Sequence, residues 1–302
     1  MEEMKEAIID IGSNSLRLTL YETDGHHFKL LFREKVMAGL AGYVEDGRLS
    51  AEGIECACAG LMNFQNILRT LEIKDVWVFA TASLRNISNT EQAVSVIQAA
   101  TGYSVEVISE EEEALFGYTG AMQELHVASG AFFDIGGAST EVVNFDNGVP
   151  KDYVSYPIGS LNLYRRYVKK ILPGASTIKK MQQSIAETIS ANGKKNTQKP
   201  LVVGVGGTAR AVLKLARYYY GLSEDCRSMT MEQLDGLCQF LYSGKKSACD
   251  MILKLEPDRI HTIIPGTMIL QHICHMFQAQ HLVVGKYGVR EGYLCRKVLK
   301  TK

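Results

Sequence analysis

Apolar and polar positions in the first forty residues group into short runs. Ala7, Ile8, Ile9 and Ile11 form an apolar block, and Leu16, Leu18 and Leu20 alternate with Arg17 and Thr19. With a third run at 28–36, residues 7–11, 16–22 and 28–36 read as a strand meander. Beyond the turn EDGRLS the period changes: apolar side chains recur at helical spacing through SAEGIECACAGLMNFQNILRTL, and Ser50 stands where it can cap that helix. DVWVFA is then a buried strand ending in TASLRN, a helix runs from about Asn89 to Thr101, YSVEVIS is another strand, and EEEEALFGYTGAMQEL opens a helix. This βαβα order predicts a mostly parallel sheet with its chemistry on loops at the strand C-termini.

The pattern then restarts. AFFDI and EVVNFD are strands flanking GGAST, YVSYPI is a third, and GSLNLYRRYVKKI reads as helix until Pro173 and Gly174 interrupt it. A helix over about 176–191 leads into the polar stretch SANGKKNTQKP, an expected exposed loop. LVVGVGGTARAVLKLARYY is strand, glycine turn and helix, and the chain from Met231 is mainly helical apart from a short strand near 282–285. Strand, Asp-Ile-Gly turn and strand thus occur twice, 124 positions apart, the mark of an internal duplication.

Each copy ends an apolar strand in Asp-Ile-Gly followed by small polar residues. Glycine lets the backbone turn sharply and bring N–H groups against an anion, so each is a candidate phosphate loop with a carboxylate at its root. The first offers Asp10, Gly12, Ser13, Asn14 and Ser15; the second offers Asp134, Gly136, Gly137, Ser139 and Thr140. Gly206, Gly207 and Thr208 lie at a strand-to-helix junction, where free N–H groups suit a nucleotide, a distal phosphate or simply tight packing. Two such loops facing one another across a cleft would hold a phosphate chain and its metal.

Composition narrows the field. A chain of 302 residues with 46% hydrophobic content supports a large core, and 33 basic against 33 acidic residues give no overall field for nucleic acid. No apolar run approaches a membrane span, and MEEMKEAIID lacks a signal pattern, so the expectation is a cytoplasmic protein without a membrane or nucleic-acid partner. The seven cysteines include no CxxC pair and read as reduced thiols. His272 and His275 stand at i,i+3 spacing, but no carboxylate or thiol has an obvious place beside them, so they read as ordinary histidines. Arg165, Arg166, Lys169 and Lys170, with Lys179 and Lys180 beyond, are either a solvated face or a guide for a long polyanion.

At this point a family resemblance becomes specific. DIGSNS, TASLRN, ISEEEEALFGY, DIGGASTEVV and GVGGTA, in this order and at these intervals, with KYGVREGYL near the end, resemble the exopolyphosphatase and guanosine pentaphosphate phosphatase family. That family lies in the actin, sugar kinase and heat-shock ATPase superfamily, and the chain is similar to its short, two-domain members. The resemblance implies a duplicated actin-like α/β fold with two domains around a cleft: 1–122 completed by about 286–302, and 123–285.

It also implies an exopolyphosphatase-type phosphohydrolase, removing terminal orthophosphate from inorganic polyphosphate by metal-assisted attack of water. Guanosine pentaphosphate or another nucleotide is the alternative substrate, a catalytically silent sensor is the non-enzymatic one, and a homodimer is a possible assembly. By the same resemblance Glu113 is the base that activates water and Arg85 lies near the phosphate, where a guanidinium clamps two oxygens as lysine cannot. Glu110, Glu111 and Glu112 read as acids complementing the helix N-terminus. Asp134, Asp10 and Glu141 are the candidates to hold Mg²⁺ or another divalent cation; Mg²⁺ prefers a few hard carboxylates plus water and substrate oxygens. Two departures from the family pattern are Glu110, where glycine is usual, and Ala138, where a third glycine is common.

Overall fold

A computed structural model describes residues 4–191 and 198–301, so part of the expected SANGKKNTQKP loop lies outside the described residues. The chain divides into two compact units, Met1–Glu113 with Tyr293–Lys302, and Ala114–Gly292.

The first unit begins with the antiparallel meander β1 (Met4–Ile11), β2 (Ser15–Thr23) and β3 (Phe28–Met37). A small ribbon, β4 (Val44–Glu45) and β5 (Arg48–Leu49), precedes α1 (Ala51–Thr70). Then come β6 (Asp75–Ala80), α2 (Ala82–Arg85), α3 (Thr90–Thr101), β7 (Val105–Val107) and the first turn of α4 (Glu110–Met122). The sheet order is β3-β2-β1-β6-β7, with β6 parallel to β1. Central β1 buries Ala7, Ile8, Ile9 and Ile11 completely, whereas edge strand β3 alternates half-buried and exposed residues. Ser50 caps α1, its Oγ accepting from Gly53 N at 3.2 Å. The helix buries Ile54, Ala57, Leu61, Phe64 and Leu68 along one face; each large side chain there contributes about 1.5–3 kcal/mol.

The second unit repeats the plan. An antiparallel meander of β8 (Gly130–Ile135), β9 (Thr140–Asp146) and β10 (Val149–Tyr156) leads to α5 (Ser160–Tyr167), α6 (Ala175–Ala191), β11 (Leu201–Val205) and α7 (Gly206–Tyr220). There follow β12 (Ser228–Thr230), α8 (Met231–Tyr242), α9 (Lys246–Leu255), α10 (Ile263–Met276), β13 (His281–Val284) and α11 (Val289–Tyr293). The order β10-β9-β8-β11-β13-β12 matches the first sheet strand for strand, with one extra edge strand.

Three local differences from the sequence expectation have physical causes. β10 starts at Val149 because Asn147 and Gly148 both take positive φ, 53° and 71°, forming the Asn-Gly turn of a tight hairpin. α5 stops at Tyr167 instead of reaching Ile171, with Val168 extended at φ −99° and ψ 115°. Continuing the helix would set Arg165 against Lys169 and Arg166 against Lys170 at i,i+4, a like-charge stack. The strand β12 is three residues long, too short to show alternation, and its last residue doubles as the N-cap of α8 in a capping box with Gln233.

Candidate active site

In the first unit, Asp10 lies one residue before the end of β1 and the turn Gly12–Ser15 follows. Gly12 N donates to Ser15 O at 3.2 Å, and a Cβ on Gly12 would sit 3.0 Å from that oxygen, so any larger residue would push the closing strand end outward by a few tenths of an ångström. Ser13 and Ser15 are buried; Gly12 and Asn14 are half-buried. The parallel neighbour β6 ends beside this turn, and Ser83 Oγ of α2 donates to Ile11 O, which ties the TASLRN segment to it.

Arg85 closes α2. Its Nη1 donates to Ile108 O at 3.0 Å and to Glu113 Oε2 at 2.9 Å, and the two side chains are only 14% and 12% exposed. Its Nε and Nη2 are buried and have no hydrogen-bond partner among the described residues. The sequence candidates Arg85 and Glu113 thus meet as an ion pair, with two donors of the guanidinium unused.

The neighbouring glutamates take other roles. Ser109 and Glu112 form a reciprocal N-terminal box: Glu112 N donates to Ser109 Oγ at 3.1 Å, and Ser109 N donates to Glu112 Oε2 at 3.0 Å. The Ser109 backbone bond, with Lys297 3.0 Å away, holds the Glu112 carboxyl below its ordinary value against the opposing effect of burial. Glu110 and Glu111 are exposed.

The second unit builds its turn the same way: Gly136 N donates to Ser139 O at 2.9 Å, and a Cβ on Gly136 would stand 3.2 Å from that oxygen. The start of α5 is fastened to this turn through Ser160 N to Gly136 O at 2.9 Å and Leu161 N to Gly137 O at 3.0 Å. A Cβ on Gly159 would overlap the Gly137 backbone. Ser139 is buried; the hydroxyls of Thr140 and Thr208 donate to Ile158 O at 2.6 Å and Ile135 O at 3.2 Å, so these two side chains brace the loops.

Asp134 and Glu141 are register partners across β8 and β9, which places both carboxylates on one face of the sheet. Glu141 is 2% exposed, and its Oε1 accepts from Ser155 Oγ at 3.2 Å. Two hard carboxylates are what Mg²⁺ usually takes from a protein, and the pair fits that need. Asp10 belongs to the other unit; among the described residues no group of three or more His, Cys, Asp or Glu side chains is gathered around a metal position.

The third glycine turn meets Asp134 directly. Gly206 has φ +79°, and a Cβ there would overlap the Asp134 carboxylate; one on Gly207 would overlap the Arg259 guanidinium. Arg259, absent from the sequence candidates, therefore lies on the turn that opens α7. Burial pushes its pKa down, opposed by Glu256, Asp258 and Asp134, and its Nε stands 3.4 Å from Glu256 Oε2. It carries no motif of its own and sits more than fifty residues from the turn it covers, so only the fold reveals it.

The structure gives the histidine pair one carboxylate neighbour that the sequence did not suggest, and no metal-holding group of three among the described residues. Asp235 of α8 supplies the missing carboxylate: its Oδ1 is 2.8 Å from His275 Nε2 and accepts from Gln271 Nε2 at 2.7 Å. Burial, with His275 nearby, lowers the pKa of His272.

Two sheets of one plan, each opening on an Asp-Ile-Gly hairpin, define a duplicated α/β protein. The crystal structure of the Aquifex aeolicus Ppx/GppA family member aligns with a TM-score of 0.80 at 25% identity, covering 99% of each chain. An exopolyphosphatase from Cytophaga hutchinsonii aligns with a TM-score of 0.84 over 99% of each chain, at 20% identity, a likeness of fold. Residues 19–301 match the model of the Ppx/GppA phosphatase family, and the chain belongs to that family. A guanosine-5'-triphosphate,3'-diphosphate pyrophosphatase of Pseudoalteromonas translucida is 29% identical over 294 residues; these cover 95% of this chain and 58% of that longer relative.

Proposed function

We propose that the chain is a phosphoanhydride hydrolase that removes the terminal phosphate of inorganic polyphosphate. The observation that carries this reading is Arg85: a buried guanidinium anchored through one nitrogen, with two further donor nitrogens that no group among the described residues satisfies. Such donors are costly when left unmet and match two oxygens of a phosphoryl group. Both nitrogens are closed to solvent in the Glu113 ion pair, so a phosphate reaches them as the guanidinium turns away from Glu113. That movement releases the Glu113 carboxylate to accept a proton from water. The water oxygen bonds to phosphorus, the bridging P–O bond breaks, and the shortened chain leaves with the bridging oxygen.

In each unit the backbone N–H groups of the glycine turns, other than Gly12 N and Gly136 N, which close the turns themselves, are the donors for further phosphate oxygens. Mg²⁺ would be held by Asp134 and Glu141, with Asp10 as a further candidate, and when bound would neutralise charge on the phosphate oxygens. A second reading, guanosine pentaphosphate as substrate, is favoured by the name of the 29%-identical relative.

The test is phosphate release from short polyphosphate, long polyphosphate and guanosine pentaphosphate at equal concentration with Mg²⁺. Release from polyphosphate, lost in Glu113→Gln while binding survives, supports the reading. Full release by Glu113→Gln refutes the base assignment, and release confined to guanosine pentaphosphate selects the second substrate. Binding without release across the panel identifies a sensor.

A further inference from the structure

Between Tyr153 and Ala186 the sequence holds no Asp or Glu and six cations: Arg165, Arg166, Lys169, Lys170, Lys179 and Lys180. All six are exposed, in a chain whose formal net charge is zero. Four of them flank the end of α5 and the turn that follows, and that turn also carries Ile171. At 61% exposure, Ile171 is the most exposed large apolar side chain among the described residues. The turn is held in place: Tyr164 OH donates to Lys170 O at 2.9 Å, folding it back on α5, and the Tyr164 ring packs edge-on against His261 at 4.9 Å. Arg166 lies over the Tyr167 ring at 5.4 Å.

We infer that this α5 turn is a docking surface for an anionic lipid bilayer. Four cations around a projecting isoleucine match the two properties of such a surface, negative headgroups and an apolar layer just beneath them. A soluble polyanion would use the charges and leave Ile171 in water, so the isoleucine decides between the two. No helix among the described residues is long and apolar enough to cross a membrane, and the contact inferred is peripheral. The absence of a membrane partner expected from the sequence rested on the lack of a span and of a signal pattern, neither of which bears on a peripheral contact.

The experiment is co-sedimentation of the purified protein with phosphatidylcholine vesicles, with and without phosphatidylglycerol, over a salt series. Binding should require phosphatidylglycerol and fade as salt rises. Removing Lys169 and Lys170 by alanine should weaken partition about 5-fold for each charge. Ile171→Ser, which leaves the charge untouched, should weaken it roughly 10-fold. Circular dichroism and phosphate release from a short substrate should be unchanged in both variants, which keeps a folding defect separate from a lost surface. Absence of binding to phosphatidylglycerol vesicles overturns the inference. So does a loss confined to the lysine variant with Ile171→Ser unaffected, because the patch would then be reading charge alone, as it would on polyphosphate.

Discussion

Replacing Arg85 by methionine separates the cost of the buried ion pair from its use. The pair is 2.9 Å long and 14% and 12% exposed, and removing one partner of such a pair costs about 3–5 kcal/mol. Against this, Arg85 Nε and Nη2 are buried without partners among the described residues. Each unmet donor costs about 1–3 kcal/mol, so deleting both returns about 2–6 kcal/mol. The two ranges overlap, and the unfolding free energy of Arg85→Met should stay within about 3 kcal/mol of the parent. Phosphate release should nevertheless fall about 10²–10³-fold, the usual loss when one preorganised donor to a developing oxyanion is removed. Urea unfolding with and without inorganic tripolyphosphate completes the assay. A ligand at a hundred times its Kd adds about 2.7 kcal/mol to the parent, and the variant, lacking the clamp, should gain much less at the same concentration. The reasoning fails if Arg85→Met loses about 4 kcal/mol or more, since the orphaned donors would then carry no cost. It fails equally if tripolyphosphate stabilises both proteins alike.

Other perturbations address the second unit. Gly206→Ala forces a side chain onto φ +79° and into the Asp134 carboxylate; it should cost about 1–2 kcal/mol and raise the Mg²⁺ concentration for half-maximal phosphate release, so an unchanged metal titration would refute the Asp134 assignment. Gly207→Ala meets only the far end of Arg259, which can swing aside, so stability should hold within about 1 kcal/mol while KM rises. A KM equal to the parent's would remove Arg259 from the site. Glu124 lies against Arg227 Nη1 at 2.8 Å and accepts from Lys286 N; burial alone would raise its pKa, but these donors hold it below the ordinary value. A depressed carboxyl stabilises fully above its unfolded pKa, about 4.3, and loses that contribution as pH falls through the folded value. The urea midpoint of the parent should therefore drop more steeply on acidification than that of Glu124→Gln, and parallel curves would contradict the assigned direction.

The strand-turn-strand repeat was legible because apolar blocks, Asp-Ile-Gly and small polar residues lie within nine or ten consecutive positions, where period and turn chemistry act locally. Ser50 was legible for the same reason, as the polar residue just before an apolar stripe of helical period. The pairing of Arg85 with Glu113 spans 28 positions and needs β6 and β7 side by side, so motif order suggested both residues but not their contact. Asp235 beside His275, 40 positions apart, and Arg259 on Gly207 belong to the same class: side chains on separate helices that meet only after packing. The early end of α5 could have been read from the charges alone, since Arg165 and Arg166 followed by Lys169 and Lys170 is a poor continuation of a helix.

The duplication explains why the two turns look alike and why their surroundings do not. Both close by the same hydrogen bond, from glycine N to the serine carbonyl three residues on, and both leave glycine as the only residue that fits without a close contact. The residue across the hairpin from the root aspartate then differs. Asp10 faces Arg17, whereas Asp134 faces Glu141. A carboxylate opposite an arginine has its charge balanced within the protein, while two carboxylates on one sheet face call for a cation from outside. The parallel strand beside each hairpin diverges in the same sense: β6 ends in a short helix carrying Arg85, while β11 ends in a glycine turn that admits Asp134 against its backbone. The first copy thus carries the Arg85–Glu113 ion pair and the second the carboxylate pair, so on the proposed function magnesium dependence should follow substitutions at Asp134 and Glu141 more strongly than substitution at Asp10.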